Sequence, residues 1–151
     1  SHGSTPHLAI SPVRVASHIV TGLDSIISTN IDSKHRVAMS INCIQSGSTY
    51  NVIPETGSLK GTLRAFNIEA REKVKEKVEK IVRGICESND CEYTLKFDDI
   101  HPPTINTEKE TETVISVAKR VLGEEEARTQ DVAALASEDF SYYLLERPGV
   151  F

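Results

Sequence analysis

The sequence contains three cysteines, no long apolar run and no excess of basic charge. Cys43, Cys86 and Cys91 are odd in number and lack C-x-x-C spacing, which favours neither a disulfide framework nor a thiolate metal site. No apolar stretch approaches the roughly 20 residues of a membrane-spanning helix, and the first residues do not resemble a signal peptide. We therefore expect a cytoplasmic protein with reduced cysteines and no membrane partner.

The charge and the missing motifs exclude several function classes. The formal net charge of −5 argues against nucleic-acid binding, which usually leaves a basic surface. An RNA-recognition sandwich is disfavoured further, because the strand segments lack exposed aromatic pairs. The sequence has no H-E-x-x-H zinc motif, no glycine-rich phosphate loop and no G-x-S-x-G nucleophile turn. The residues alone therefore assemble no complete metal or nucleophile site.

The composition is typical of a folded globular chain, with 38% hydrophobic and 26% charged residues. Apolar residues at three- and four-residue spacing predict helices over residues 11–28 and 67–88, with Ser11 and Asn67 as N-caps. Alternation of apolar and polar residues predicts three strands, over residues 36–44, 58–66 and 91–97. Antiparallel strands with helices on one face form a two-layer α+β sandwich.

The periodic pattern stops after residue 97. Paired prolines favour an extended connection there, and we place a domain boundary after residue 106. Beyond it, Thr107 and Glu110 form a capping box before a helix that ends at Gly123. The last residues predict one more short helix.

Three stretches carry candidate functional residues. In SHGSTPH, His2 and His7 flank a turn-rich segment, where an imidazole would either face a cleft or lie in an exposed turn. In STYNVIPETGSLKGTLRAF, a bend at PETG would let Asn51 and Arg64 approach one point and bind a carboxylate. The alternative for Arg64 is a place on the solvated face of the sheet.

The third stretch is SEDF, near the end of the chain. Its carboxylates, Glu138 and Asp139, are possible metal ligands, but both are also favoured in the first turn of a helix capped by Ser137. We prefer the helix-capping interpretation.

Together, the motifs SHGSTPHLAISPVRVASHIV, STYNVIPETGSLKGTLRAF and ASEDFSYYL resemble the co-catalytic metallopeptidases, a family of aminoacylases, hippurate and indoleacetyl-amino-acid hydrolases, and glutamate carboxypeptidases. The motifs follow the family's order over nearly the whole chain. The resemblance implies that residues 1–106 form the lid, or dimerisation, domain, a ferredoxin-like sandwich of four strands and two helices whose first strand is truncated. Residues 107–151 would be a helical part of the α/β catalytic domain.

The resemblance also implies roles for three residues. Asn51 and Arg64 would grip the free carboxylate of a small N-acyl amino acid or peptide substrate. His2 would reach the site of a neighbouring subunit in a homodimer and polarise the scissile carbonyl.

The family's two divalent metal ions, zinc or manganese, would be held by segments outside this chain. The chain alone would then be an inactive fragment, without bound metal, of an amidohydrolase or carboxypeptidase. The alternative is a non-catalytic ferredoxin-like association module.

Overall fold

A computed structural model gives the structure of residues 1–127, 133–136 and 138–151. The chain divides into two units, Ser1–Phe97 and Asp98–Phe151. No helix in the described part of the chain is both long and apolar enough to cross a membrane.

The first predicted helix is present but divides at Ser25 into α1 (Pro12–Asp24) and α2 (Ile26–Asn30). Ser11 caps α1 as predicted, with its side chain accepting the backbone N–H of Arg14. The buried residues of both helices recur at three- and four-residue spacing, so they face the same core: they are Val15, Ala16, Ile19, Leu23 and Ile26.

The second predicted helix is confirmed as α3 (Ile68–Glu87). Asn67 is its N-cap, and the side-chain oxygen of Asn67 accepts the backbone N–H of Ala70 at 3.0 Å. Its buried stripe repeats every four residues and consists of Ala70, Val74, Val78, Val82 and Cys86. This stripe packs with the apolar face of α1 to form the core of the first unit.

Two of the predicted strands form an antiparallel hairpin, β1 (Val37–Ser46) and β2 (Gly57–Ala65). Its apolar face packs against the helical core through Val37, Met39, Ile41, Leu59 and Leu63. The first unit therefore has the predicted α+β architecture, with helices on one face of an antiparallel sheet.

A β-bulge in β1 shifts its pairing register with β2. Ile41 lies opposite Gly61 and Cys43 lies opposite Lys60, so β1 has one extra residue, Asn42, at this point. The predicted alternation of burial continues through the bulge, because Ile41 and Cys43 are both half-buried while Asn42 is exposed. Only the pairing register with β2 shifts, by one residue.

The strand predicted over residues 91–97 is wrong. In the described residues the sheet has two strands, and this segment belongs to neither. Cys91 and Leu95 still pack against the core, whereas Tyr93 and Phe97 remain 39% and 40% exposed. Only two of the four residues of the predicted inner face are therefore packed against the core, and the segment pairs with no strand of the described chain. Only two of the four strands implied by the family resemblance are formed in the described residues.

The second unit contains α4 (Glu108–Leu122) and α5 (Phe140–Glu146). α4 ends before Gly123, whose φ of 91° suits a residue without a Cβ.

Thr107 and Glu110 are in contact at the start of α4 but do not form the predicted capping box, because their side chains bond to each other and the Thr107 side chain makes no capping hydrogen bond. The Thr107 hydroxyl donates to the Glu110 carboxylate at 2.5 Å. This hydrogen bond, together with one from the backbone N–H of Glu110, lowers the pKa of Glu110. Ser137, the predicted cap of α5, lies outside the described residues.

Candidate functional site

Backbone pairing brings the segments of His2 and Asn51 together. The Gly3 N–H donates to the Asn51 carbonyl at 2.8 Å, and the Ile53 N–H donates to the Ser1 carbonyl at 2.8 Å. His2 and Val52 form the antiparallel bridge between these two bonds. A Cβ on Gly3 would lie 3.0 Å from the Asn51 carbonyl oxygen, so glycine permits this close approach.

The imidazole of His2 is held by Ser4 in the following turn. The Ser4 backbone N–H donates to Nδ1 at 3.1 Å, and the Ser4 hydroxyl oxygen lies 2.7 Å from the same nitrogen. The His2 carbonyl accepts hydrogen bonds from the backbone N–H and the hydroxyl of Thr5, both at 3.0 Å. The turn therefore fixes both the backbone and the ring of an exposed histidine.

Asn51 is exposed in the loop of residues 47–56 that joins β1 to β2. The Thr49 hydroxyl donates to its Oδ1 at 2.9 Å, which leaves the Nδ2 group as the donor end of the amide. Tyr50, the preceding residue, is fully exposed. An open depression of about 520 Å³ lies beside the loop and is lined by its residues and by Ser11 and Val13.

Arg64 lies near the other end of the hairpin. It is half-buried on β2 and pairs with Ala38, close to the start of β1. Arg64 lies seven residue steps along β2 from Gly57, the first residue after the Asn51 loop, a span of about 23 Å. The structure thus places Asn51 and Arg64 at opposite ends of the hairpin, while the predicted bend would have brought them to one point.

The remaining candidate ligands lie in a 3₁₀ turn and before the start of α5. His7 is exposed in a 3₁₀ turn over Pro6–Leu8. The Glu138 carboxylate accepts the backbone N–H of Phe140 at 3.1 Å. α5 begins at Phe140 with Asp139 as its N-cap, so the prediction of both carboxylates in its first turn is wrong. Among the described residues, no group of three or more His, Cys, Asp or Glu could hold a metal ion. The described residues therefore do not fit a metal ion by themselves.

Two features were missed in the sequence. One is the contact of Ser4 with His2, for which the only signal was a serine two residues after the histidine in a turn-rich segment. The other is the hydrogen bond between the Cys86 and Cys91 thiols, both of them free cysteines, at the end of α3. Burial, then the hydrogen bond and the charge interaction with Cys91, raise the pKa of Cys86 to about 11.

The model of a family described as peptidase dimerisation domain matches residues 1–90. Hippurate hydrolase from Campylobacter jejuni is 33% identical over 142 residues, which cover 94% of this chain and 37% of the relative. N-acetyldiaminopimelate deacetylase from Halalkalibacterium halodurans is 33% identical over 148 residues, which cover 98% of this chain and 39% of the relative.

Solved structures agree with the sequence comparisons. A Bacillus subtilis protein, described as a dinuclear metal-binding peptidase from the M20 family, superposes with a TM-score of 0.74 at 26% sequence identity. The match covers 93% of this chain and 35% of that protein. The chain therefore spans less than two fifths of the length of each of these three relatives.

Proposed function

Because the chain belongs to the peptidase dimerisation domain family, we propose that it is part of a metal-dependent amidohydrolase that cleaves small N-acyl amino acids or peptides. Residues 1–106 are the lid and dimerisation domain, and residues 107–151 belong to the catalytic domain. The match to relatives named as a hydrolase and a deacetylase supports this assignment. The short coverage of both supports a whole enzyme longer than this chain.

Segments outside this chain would hold two divalent ions, zinc or manganese, whose chemistry would be the activation of a water for amide hydrolysis. Because the described residues form no metal site of their own, we expect this chain alone to hydrolyse nothing and to bind no zinc tightly.

In this enzyme His2 donates a hydrogen bond to the scissile carbonyl oxygen. An imidazole N–H aimed at this oxygen stabilises the negative charge that develops when water attacks the carbonyl. The exposure of His2 supports the role, because an exposed donor can enter the site of another subunit.

Asn51 and Arg64 bind the free carboxylate of the substrate. An amide N–H and a guanidinium are both donors, and the guanidinium matches two carboxylate oxygens at once.

The separation of these two residues is the observation that carries the proposal. A carboxylate is only a few ångströms wide, whereas about 23 Å of β2 lies between the Asn51 loop and Arg64. One carboxylate can then contact both residues only if they come from two copies of the chain. We therefore propose that each site of the dimer uses His2 and Asn51 of one subunit and Arg64 of the other.

Mixed dimers of the full-length enzyme test this assignment. Asn51→Ala and Arg64→Ala homodimers should both be nearly inactive. In a heterodimer of the two variants, one site carries both substitutions and the other carries neither. Co-expression of equal amounts should therefore restore about a quarter of the wild-type rate. A site built within one chain would give no restoration, and that result would contradict the shared site.

Substrate selectivity tests the carboxylate role separately. Arg64→Ala should raise KM for a substrate with a free carboxylate and spare its amidated analogue. Lys60→Ala is the matched control, because Lys60 is an exposed cation on the same strand. Equal losses on both substrates would remove the carboxylate role from Arg64.

A further inference from the structure

We propose that Ser4 is a positioning residue that keeps the neutral imidazole of His2 in the tautomer with its proton on Nε2. The proposal rests on the function proposed above for His2 as a hydrogen-bond donor. It concerns which ring nitrogen carries the proton, and it can be measured without any catalytic assay.

The backbone hydrogen bond identifies the tautomer. In a neutral imidazole one ring nitrogen carries a hydrogen and the other accepts. The Ser4 N–H can only donate, and it points at Nδ1 over 3.1 Å. Nδ1 must therefore be the accepting nitrogen, and the ring hydrogen lies on Nε2.

The Ser4 hydroxyl reinforces this arrangement. Its oxygen lies 2.7 Å from Nδ1, and because Nδ1 carries no hydrogen, the hydroxyl is the donor of this contact. The opposite tautomer would place a ring N–H against the Ser4 backbone N–H, which has no acceptor to offer. Ser4 thus provides two donors to one ring nitrogen and leaves Nε2–H to donate elsewhere.

The turn around His2 keeps this geometry in place. The two hydrogen bonds from Thr5 hold the His2 carbonyl, and the Gly3 N–H is held by Asn51. Neither contact involves the imidazole ring. Thr5 therefore supplies a control residue that stabilises the same turn without contacting the ring.

Nitrogen-15 NMR of the 151-residue chain tests the proposal directly. At a pH where His2 is neutral, Nδ1 should have the chemical shift of an unprotonated ring nitrogen and Nε2 that of a protonated one. Ser4→Ala should raise the population of the Nδ1–H tautomer, because only the backbone donor remains. Ser4→Thr should restore the wild-type spectrum, and Thr5→Ala should leave the tautomer unchanged. A proton on Nδ1 in the wild type, or identical spectra for wild type and Ser4→Ala, would overturn the proposal.

Kinetics of the full-length enzyme test the consequence. Ser4→Ala should lower kcat about three- to tenfold with little change in KM, the size expected for one lost hydrogen bond. Ser4→Thr should retain the wild-type kcat. In a His2→Ala background, Ser4→Ala should have no further effect, because Ser4 acts through His2. A further loss in that background would contradict the positioning role.

The two proposals fail separately. If His2→Ala leaves kcat unchanged, the donor role of His2 is wrong whatever the NMR spectra show. If the spectra show the proton on Nδ1, the Ser4 proposal is wrong, while the effect of His2→Ala still measures the donor role.

Discussion

At the scale of single residues, the Cys86 thiol makes the free energy of unfolding depend on pH in the alkaline range. Cys86 is only 2% exposed, and its pKa in the folded chain is raised from 9.0 to about 11. Between these two values the unfolded chain loses the thiol proton while the folded chain keeps it. The free energy of unfolding should therefore fall as pH rises from about 9 to about 11, by about 3 kcal/mol at most.

Urea unfolding between pH 8 and pH 11 measures this effect. Cys86→Ala should lose stability less steeply with pH than the wild type, whatever its stability at pH 8. Cys43→Ala is the control, because Cys43 is outside the core cluster and should keep the wild-type slope. Parallel curves for Cys86→Ala and the wild type would show that the thiol is not responsible.

Residue-scale features were predictable where the contact is local in sequence. Ser11 and Asn67 cap their helices because a side-chain oxygen reaches a backbone N–H three residues later. The distance between Asn51 and Arg64 was not predictable from their spacing, because it depends on how far β2 continues without bending. The tautomer of His2 depends on a hydrogen bond whose geometry the sequence does not specify.

At the scale of secondary-structure elements, Gly61 sits at the bulge of the hairpin. A Cβ at this position would clash with the Ser40 carbonyl oxygen and lie 2.8 Å from the Ile41 side chain. Gly61→Ala should therefore push the two strands apart and lower the free energy of unfolding by about 1 to 3 kcal/mol.

Gly84→Ala is the matched control for this prediction. Gly84 is exposed on α3 and an added Cβ meets nothing within 4 Å. Alanine favours a helix over glycine, so this variant should be more stable by about 0.5 to 1 kcal/mol. Thermal unfolding of both variants distinguishes them, and an unchanged melting temperature for Gly61→Ala would contradict the close packing at the bulge.

The helices were more predictable than the sheet. A helix makes its backbone hydrogen bonds within one segment, so the spacing of apolar residues in that segment is enough to predict it. α1, α3 and α4 lie where this spacing and the capping residues predict them. Alternation of apolar and polar residues does not identify a second strand with which the segment could pair. For this reason the prediction of a strand over residues 91–97 was wrong. The bulge in β1 depends on cross-strand register and left no local signal.

At the scale of the whole molecule, the hairpin leaves backbone groups available for another copy. In the described residues the sheet has only β1 and β2, so each strand has one edge that pairs with no further strand. The chain should therefore self-associate, and sedimentation over a range of concentrations should show a dimer. A strictly monomeric chain at high micromolar concentration would contradict this expectation.

The backbone pairing of residues 1–3 with residues 51–53 has a consequence for protein engineering. Backbone hydrogen bonds join these segments on both sides of the His2–Val52 bridge. The backbones that carry the His2 imidazole and the Asn51 amide are therefore held together. Lengthening the connection between Ser46 and Tyr50 should move both groups together and keep their spacing. Lengthening β1 and β2 by paired residues would instead change only the distance of these two residues from Arg64 of the same chain. The length of the hairpin therefore sets how far His2 and Asn51 lie from the opposite end of their own sheet.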